Sequence, residues 1–130
     1  MQVRFKKISS DASFREFYRI QKNLTSSIIV KANKDKYKNL IVYAAVNKLL
    51  IKNKIKAPKL LKEYFKNKMM QIEDLGMNSF FNYVKNKKNK FKNYKKIIKI
   101  ILNLQNIKLK KYIEFKKYKI KINSYTVALL

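Results

Sequence analysis

The chain has no cysteine and no histidine among its 130 residues, one glycine (Gly76) and one proline (Pro58). Without cysteine there can be no disulfide and no thiolate metal site. Without histidine the commonest general base and the commonest metal ligand are gone. Any catalysis would have to run on carboxylates, lysines or hydroxyls. Acids are scarce as well: Asp11, Glu16, Asp35, Glu63, Glu73, Asp74 and Glu114 stand against 33 Lys and Arg. No two of them sit at a spacing that suggests a carboxylate dyad or a hard-metal cage. No uninterrupted apolar run reaches the length of about 18 residues that suggests a membrane-spanning helix. The first eight residues alternate basic and apolar without the apolar core of a secretory signal, so the cytoplasm is the expected compartment.

What is present in excess is positive charge. The formal net charge of +26 invites a nucleic-acid reading, because clustered cations release counterions from a phosphate backbone. The kind of cation argues against it. Arginine, the residue of bidentate base recognition, occurs only at Arg4, Arg15 and Arg19, while lysine is spread through every segment. The other abundant residues, Ile, Asn, Tyr and Phe, share AT-rich codons with lysine, so genome composition accounts for much of the excess. The Lys- and Asn-rich stretch 85–96 reads as a solvated loop.

The hydrophobic pattern gives an order of elements. Residues 3–8 alternate apolar and charged, small residues follow, and Phe14, Phe17, Tyr18 and Ile20 resume a β-rich run. Ile28, Ile29 and Val30 then suit a strand covered on both faces. Val42, Ala45, Val46, Leu49 and Leu50 recur at the steps of a helix face. After Pro58, residues 59–65 and 69–73 flank Lys66, Asn67 and Lys68 as a hairpin, and Gly76 follows at a place suited to a positive φ. Phe80, Phe81 and Val84 fit a short helix. Tyr94, Ile97, Ile98, Ile101 and Leu104 fit a longer one with a lysine-bearing back, and residues 106–123 give no clear pattern. The order predicts an α+β fold: a five-stranded antiparallel sheet with one packed helix over residues 1–76, then a helical region over 77–130.

That is also the order of a kinase amino-terminal lobe. There the turn between the first two strands covers the ATP phosphates, a third-strand lysine meets them, and the segment after the fifth strand meets adenine through its backbone. Residues 9–13 (Ser9, Ser10, Asp11, Ala12, Ser13), Lys31, and residues 73–76 (Glu73, Asp74, Leu75, Gly76) occupy those three places. Small side chains let backbone N–H groups approach phosphate oxygens, and Lys31 supplies a point charge.

The stretch from Ser9 to Arg19 resembles the Asp-Ala-Ser-Phe-Arg signature of the aminoglycoside-phosphotransferase-like superfamily, in the branch that phosphorylates cell-wall amino sugars such as N-acetylmuramate and N-acetylglucosamine. The residues from Met70 to Gly76 look like that branch's hydrophobic strand running into Glu-Asp-Leu-Gly. Leu102, Asn103, Leu104 and Gln105 are similar to the start of its second lobe. The resemblance implies a kinase-like nucleotide-binding lobe and hinge, followed by the first helices of a truncated helical lobe. It implies ATP and Mg²⁺ as cofactors and a sugar as acceptor in the full-length parent. It also implies a catalytic loop with an Asp base, and a later metal-binding Asp, in the second lobe. Glu114 is the only acid after Gly76 and lacks that context. The expectation is therefore a nucleotide-side fragment with no catalytic or metal-ligating residue of its own. The helix expected after the third strand has no acid from Tyr37 to Lys52, so the usual partner of the strand lysine is missing. Two other readings stay open: a lysine-rich module for RNA or another anionic surface, and a membrane-surface role for the helix around Tyr94 to Gln105.

Overall fold

A computed structural model of the protein describes residues 3–8, 15–32 and 37–121. Five strands, β1 (Val3–Ile8), β2 (Glu16–Lys22), β3 (Thr25–Lys31), β4 (Leu60–Tyr64) and β5 (Met69–Glu73), form one antiparallel sheet in the order β1-β2-β3-β5-β4. Helix α1 (Tyr37–Lys52) leaves β3 and packs on one face of the sheet. Beyond Gly76 come α2 (Phe80–Lys85), α3 (Lys90–Gln105), and a two-stranded hairpin of β6 (Tyr112–Phe115) and β7 (Tyr118–Lys121).

Strand alternation decides which side chains meet the helix. On one face Val30, Ile28, Met70 and Ile72 are buried and touch Leu40, Ile41, Ala44 and Ala45 of α1. Ala32, Ala44 and Ala45 have no bulk beyond Cβ, which lets helix and sheet approach closely. The opposite face, with Tyr18, Ile20 and Ile29, is half-buried, so the Ile28-Ile29-Val30 run is covered on one face and not on both. A single helix is available to cover the described sheet, and it takes the Ile28 and Val30 side. The helix face also differs from the expected one. Ala45 and Val46 are buried as expected, but Leu40, Ile41 and Ala44 join them, while Val42, Leu49 and Leu50 are only half-buried. A helix apolar around most of its circumference gives periodicity little to discriminate with. Asn47 is the buried polar residue of α1, and its Nδ2 donates to the Pro58 carbonyl at 3.1 Å, tying the helix to the β4 connection.

The order of elements predicts helices alone after Gly76, but residues 112–121 fold as the hairpin. Phe115 is buried in the core with α1, Ile113, Tyr118 and Ile120 pack beside it, and the Lys116 ammonium pairs with Glu63 of β4. The near-absence of glycine leaves its mark on the turns. Asn23, Lys54, Lys68 and Lys116 all sit at positive φ, between 52° and 60°, a region that costs an L-residue roughly 1–2 kcal/mol. At the end of α1, Lys54 holds the left-handed position that glycine usually takes: its N–H donates to the Ile51 carbonyl, and the Ile55 N–H to that of Leu50.

Candidate functional site

The sheet register sets where the expected site residues lie. Ile8 pairs with Phe17 and Glu16 with Lys31, so residues 9–14 connect two strands at the end of the sheet that Lys31 occupies. Residues 9–13 themselves lie outside the described residues. Lys31 pairs with Met69 and Ser27 with Glu73, so Lys31 and residues 73–76 are at opposite ends of the β3–β5 pair. At about 3.4 Å per residue, four residues of antiparallel strand separate Lys31 from the level of Glu73 by roughly 13–14 Å.

Lys31 points away from α1, since Val30 on one side of it and Ala32 on the other are both fully buried toward the helix. The lack of an acid in α1 therefore does not bear on it. The Lys31 ammonium lies 5.3 Å from the centroid of the Tyr18 ring, and Lys7 covers the same ring at 5.8 Å. Glu16, whose carboxylate accepts from Lys7 Nζ at 2.7 Å, is the acid on this face next to Lys31. Its carboxyl is held below the usual value chiefly by that Lys7 hydrogen bond, with Lys31 adding a smaller attraction.

At the other end, Glu73 closes β5 by donating its N–H to the Lys59 carbonyl at 2.9 Å, and its Oε2 accepts from the Lys59 N–H at 3.3 Å. The chain then turns through Asp74, Leu75 and Gly76. Arg19 of β2 reaches across β3 to this turn. Its Nε donates to Asp74 Oδ2 at 2.6 Å, and its Nη2 donates to Asp74 Oδ1 at 2.9 Å and to the Gly76 carbonyl at 3.2 Å. Asp74 Oδ1 also accepts from the Gly76 N–H at 2.9 Å. Two parallel N–H···O bonds match the planar guanidinium to the carboxylate, a fit that a lysine ammonium cannot make.

The Asp74 side chain is only 4 % exposed and that of Arg19 16 %, so water screens this pair weakly. The Arg19 hydrogen bonds hold the Asp74 carboxyl down to about 2, against the opposing cost of burial, with help from the Gly76 N–H and the Ser26 hydroxyl. Gly76 has φ +90° and open space where a Cβ would stand. Glycine is needed there for the backbone conformation, not for room.

The structure thus brings Asp74 and Gly76 into one bonded turn and sets Lys31 apart from them. The sequence places Arg19 at the end of a motif without marking it as a site residue. The signal that could have singled it out is its type, because an arginine kept in a chain that otherwise uses lysine marks a place where the fork geometry is required. Among the described residues no group of three His, Cys, Asp or Glu side chains stands together to hold a metal. No described helix is long and apolar enough to cross a membrane. No family model, curated protein or solved structure matches this chain.

Proposed function

We infer that residues 8–76 form the nucleotide-binding lobe of a kinase-like, ATP-dependent small-molecule phosphotransferase. One observation carries the reading. The two stretches that resemble the amino-sugar kinase branch, one ending at Arg19 and one containing Asp74 and Gly76, are joined directly by the bidentate Arg19–Asp74 pair across 55 positions of sequence. A five-stranded antiparallel sheet with a helix after its third strand adds support. So does the separation of Lys31 from the 73–76 turn, which leaves one end of the sheet for phosphates and the other for the base.

On this reading Lys31 supplies positive charge to the phosphates and the 73–76 turn meets the adenine edge. The Gly76 N–H is taken up by Asp74 Oδ1 and its carbonyl accepts from Arg19 Nη2 of β2, so recognition of the base falls to the backbone of Asp74 and Leu75. The described acids do not fit Mg²⁺, and no step is routed through it. On the same reading the sugar site and the catalytic Asp lie outside residues 8–76.

The test is equilibrium binding of a fluorescent ATP analogue to residues 1–130, with unlabelled ATP as competitor. Displaceable binding, weakened several-fold in Lys31→Gln and unaccompanied by sugar phosphorylation, is the expected result. Binding that ATP does not displace, or that polyanions displace equally well, would sink the nucleotide reading and favour a general anion-binding module.

A further inference from the structure

The helix α3 is sixteen residues long and buries none of them. Phe91, Tyr94, Ile98, Ile101 and Leu102 are 69, 50, 53, 46 and 51 % exposed. At 100° per residue these five fall within an arc of about 100°, a single stripe along one side. Phe80 of α2 meets one edge of that stripe, its ring 5.5 Å from the Tyr94 ring. The other side carries Lys92, Lys95, Lys96 and Lys99, with Asn103 between them in projection and Ile100, 43 % exposed, beside Lys96. From Lys85 to Lys99 there are eight lysines, and no acid occurs between Asp74 and Glu114.

We propose that α3 is an interfacial helix that lays this stripe into an anionic lipid surface. The occupant must accept five apolar side chains and a row of ammonium groups along the same 24 Å or so of helix. A bilayer with negatively charged headgroups does both, with acyl chains under the stripe and phosphates or carboxylates beside the lysines. A single-stranded nucleic acid answers the lysines but leaves Ile98, Ile101 and Leu102 against phosphate. A second copy answers the stripe but brings another +26 charge against the first. The lysines are already disposed for the boundary: the Lys95 ammonium lies 4.7 Å from the Phe91 ring centroid and the Lys87 ammonium 5.2 Å from that of Tyr83. Flexible stems of this kind let a charge stay at headgroup level while the ring beside it goes deeper.

The experiment is co-flotation of residues 1–130 with vesicles of phosphatidylcholine alone and with vesicles containing about a third phosphatidylserine. The chain has no tryptophan, so Tyr94→Trp provides a clean fluorescence probe of insertion. The expected result is at least about tenfold stronger association with the phosphatidylserine vesicles, a blue shift of the emission in the Tyr94→Trp variant, and loss of both when Ile98→Asp is introduced. Because Ile98 is exposed, circular dichroism of that variant should match the parent. Replacing Lys92, Lys95, Lys96 and Lys99 by Gln is the second variant, and it should remove the preference for anionic vesicles. Equal binding to both vesicle types overturns the proposal. Binding that Ile98→Asp leaves intact and salt abolishes also overturns it, as polycation adsorption. So does displacement of the protein from vesicles by single-stranded RNA at stoichiometric amounts. Self-association abolished by Ile98→Asp would overturn it too, by assigning the stripe to a second copy.

Discussion

Helices α1 and α3 are the same length, sixteen residues, yet α1 buries six of its described side chains and α3 none. Their sequences suggest the reverse assignment of effort. α3 has the cleaner division into apolar stripe and lysine back, whereas α1 is apolar around most of its circumference and interrupted by few charges. The contrast teaches that amphipathic pattern measures how well a helix suits a boundary, and that the boundary need not be a protein core. A helix apolar all round has to be enclosed on several sides, and α1 is: the sheet lies on one side, and Phe115 of the β6–β7 hairpin joins the same cluster. Among the described residues, twelve of the fourteen buried apolar ones lie between Ile28 and Ile72, with Val84 and Phe115 the exceptions. Cohesion is thus concentrated around α1, and most of the surface apolar area after Gly76 is left uncovered.

The largest effect that would break this comparison lies at Phe115. If the hairpin is part of the α1 core, Phe115→Ala costs about 3–5 kcal/mol, the range for a truncated core phenylalanine. Leu40→Ala in α1, at 0 % exposure, should cost about 2–5 kcal/mol. Urea unfolding at neutral pH reads both. A Phe115→Ala variant within about 0.5 kcal/mol of the parent would show that the hairpin merely rests on the surface, and the core would end at Gly76.

The second effect tests the strut that closes the sheet. Arg19→Ala leaves the nearly buried Asp74 carboxylate without its bidentate partner, and a loss of about 2–3 kcal/mol at pH 7 is expected. The same pair makes stability depend on acid. A carboxyl whose folded value is depressed stabilises the fold above its unfolded value and loses that contribution as the pH falls through the folded one. For Asp74 the window runs from 3.8 down to about 2, and the difference is worth roughly 2 kcal/mol. Unfolding midpoints measured between neutral pH and pH 2 should therefore fall more steeply in the parent than in Arg19→Ala. Parallel acid limbs would mean that the pair contributes geometry but little free energy.

Much of this was legible before the fold. The existence and order of the five strands and three helices follow from alternation and from three- and four-residue spacing, although the first turns of α3, from Lys90, fall in the Lys- and Asn-rich stretch that reads as a loop. The hairpin at residues 112–121 was not legible. Its turn is made by Lys116 and Lys117, with Lys116 at φ 52°, so the usual Gly or Asn signal is missing, and dense lysine hides the alternation of Ile113, Phe115, Tyr118 and Ile120. At the candidate site, the turn around Gly76 could be anticipated from the lone glycine. The Arg19–Asp74 bond could not be, since pairing across three strands depends on register, which a single sequence specifies only through which face is buried. The expected partner for Lys31 failed for the same reason. The usual acid would stand on α1, while the strand directs that lysine to the other face, toward Tyr18 and Glu16.

A smaller effect separates conformational need from space at the same turn. Gly76→Ala meets no atom within 4 Å of the new Cβ, yet must hold φ +90°. The cost should be about 1–2 kcal/mol, all of it from the backbone. Asn, which tolerates positive φ better, should recover part of it. If Ala and Asn behave alike and cost nothing, the turn relaxes on substitution, and the Arg19 bond to the Gly76 carbonyl is not what fixes its shape.

The smallest effect returns to α3. Ile98→Ala removes an apolar side chain that is 53 % exposed and touches no core, so folding stability should change by less than about 0.5 kcal/mol. An isoleucine that costs this little in the isolated chain has no large role in holding it together, and its place in the stripe then has to be explained by something outside the described fold. A loss of about 2 kcal/mol or more, in the range for a buried aliphatic residue, would mean that α3 is covered in solution by this chain itself. The stripe would then belong to the core after all, and the difference between the two helices would disappear.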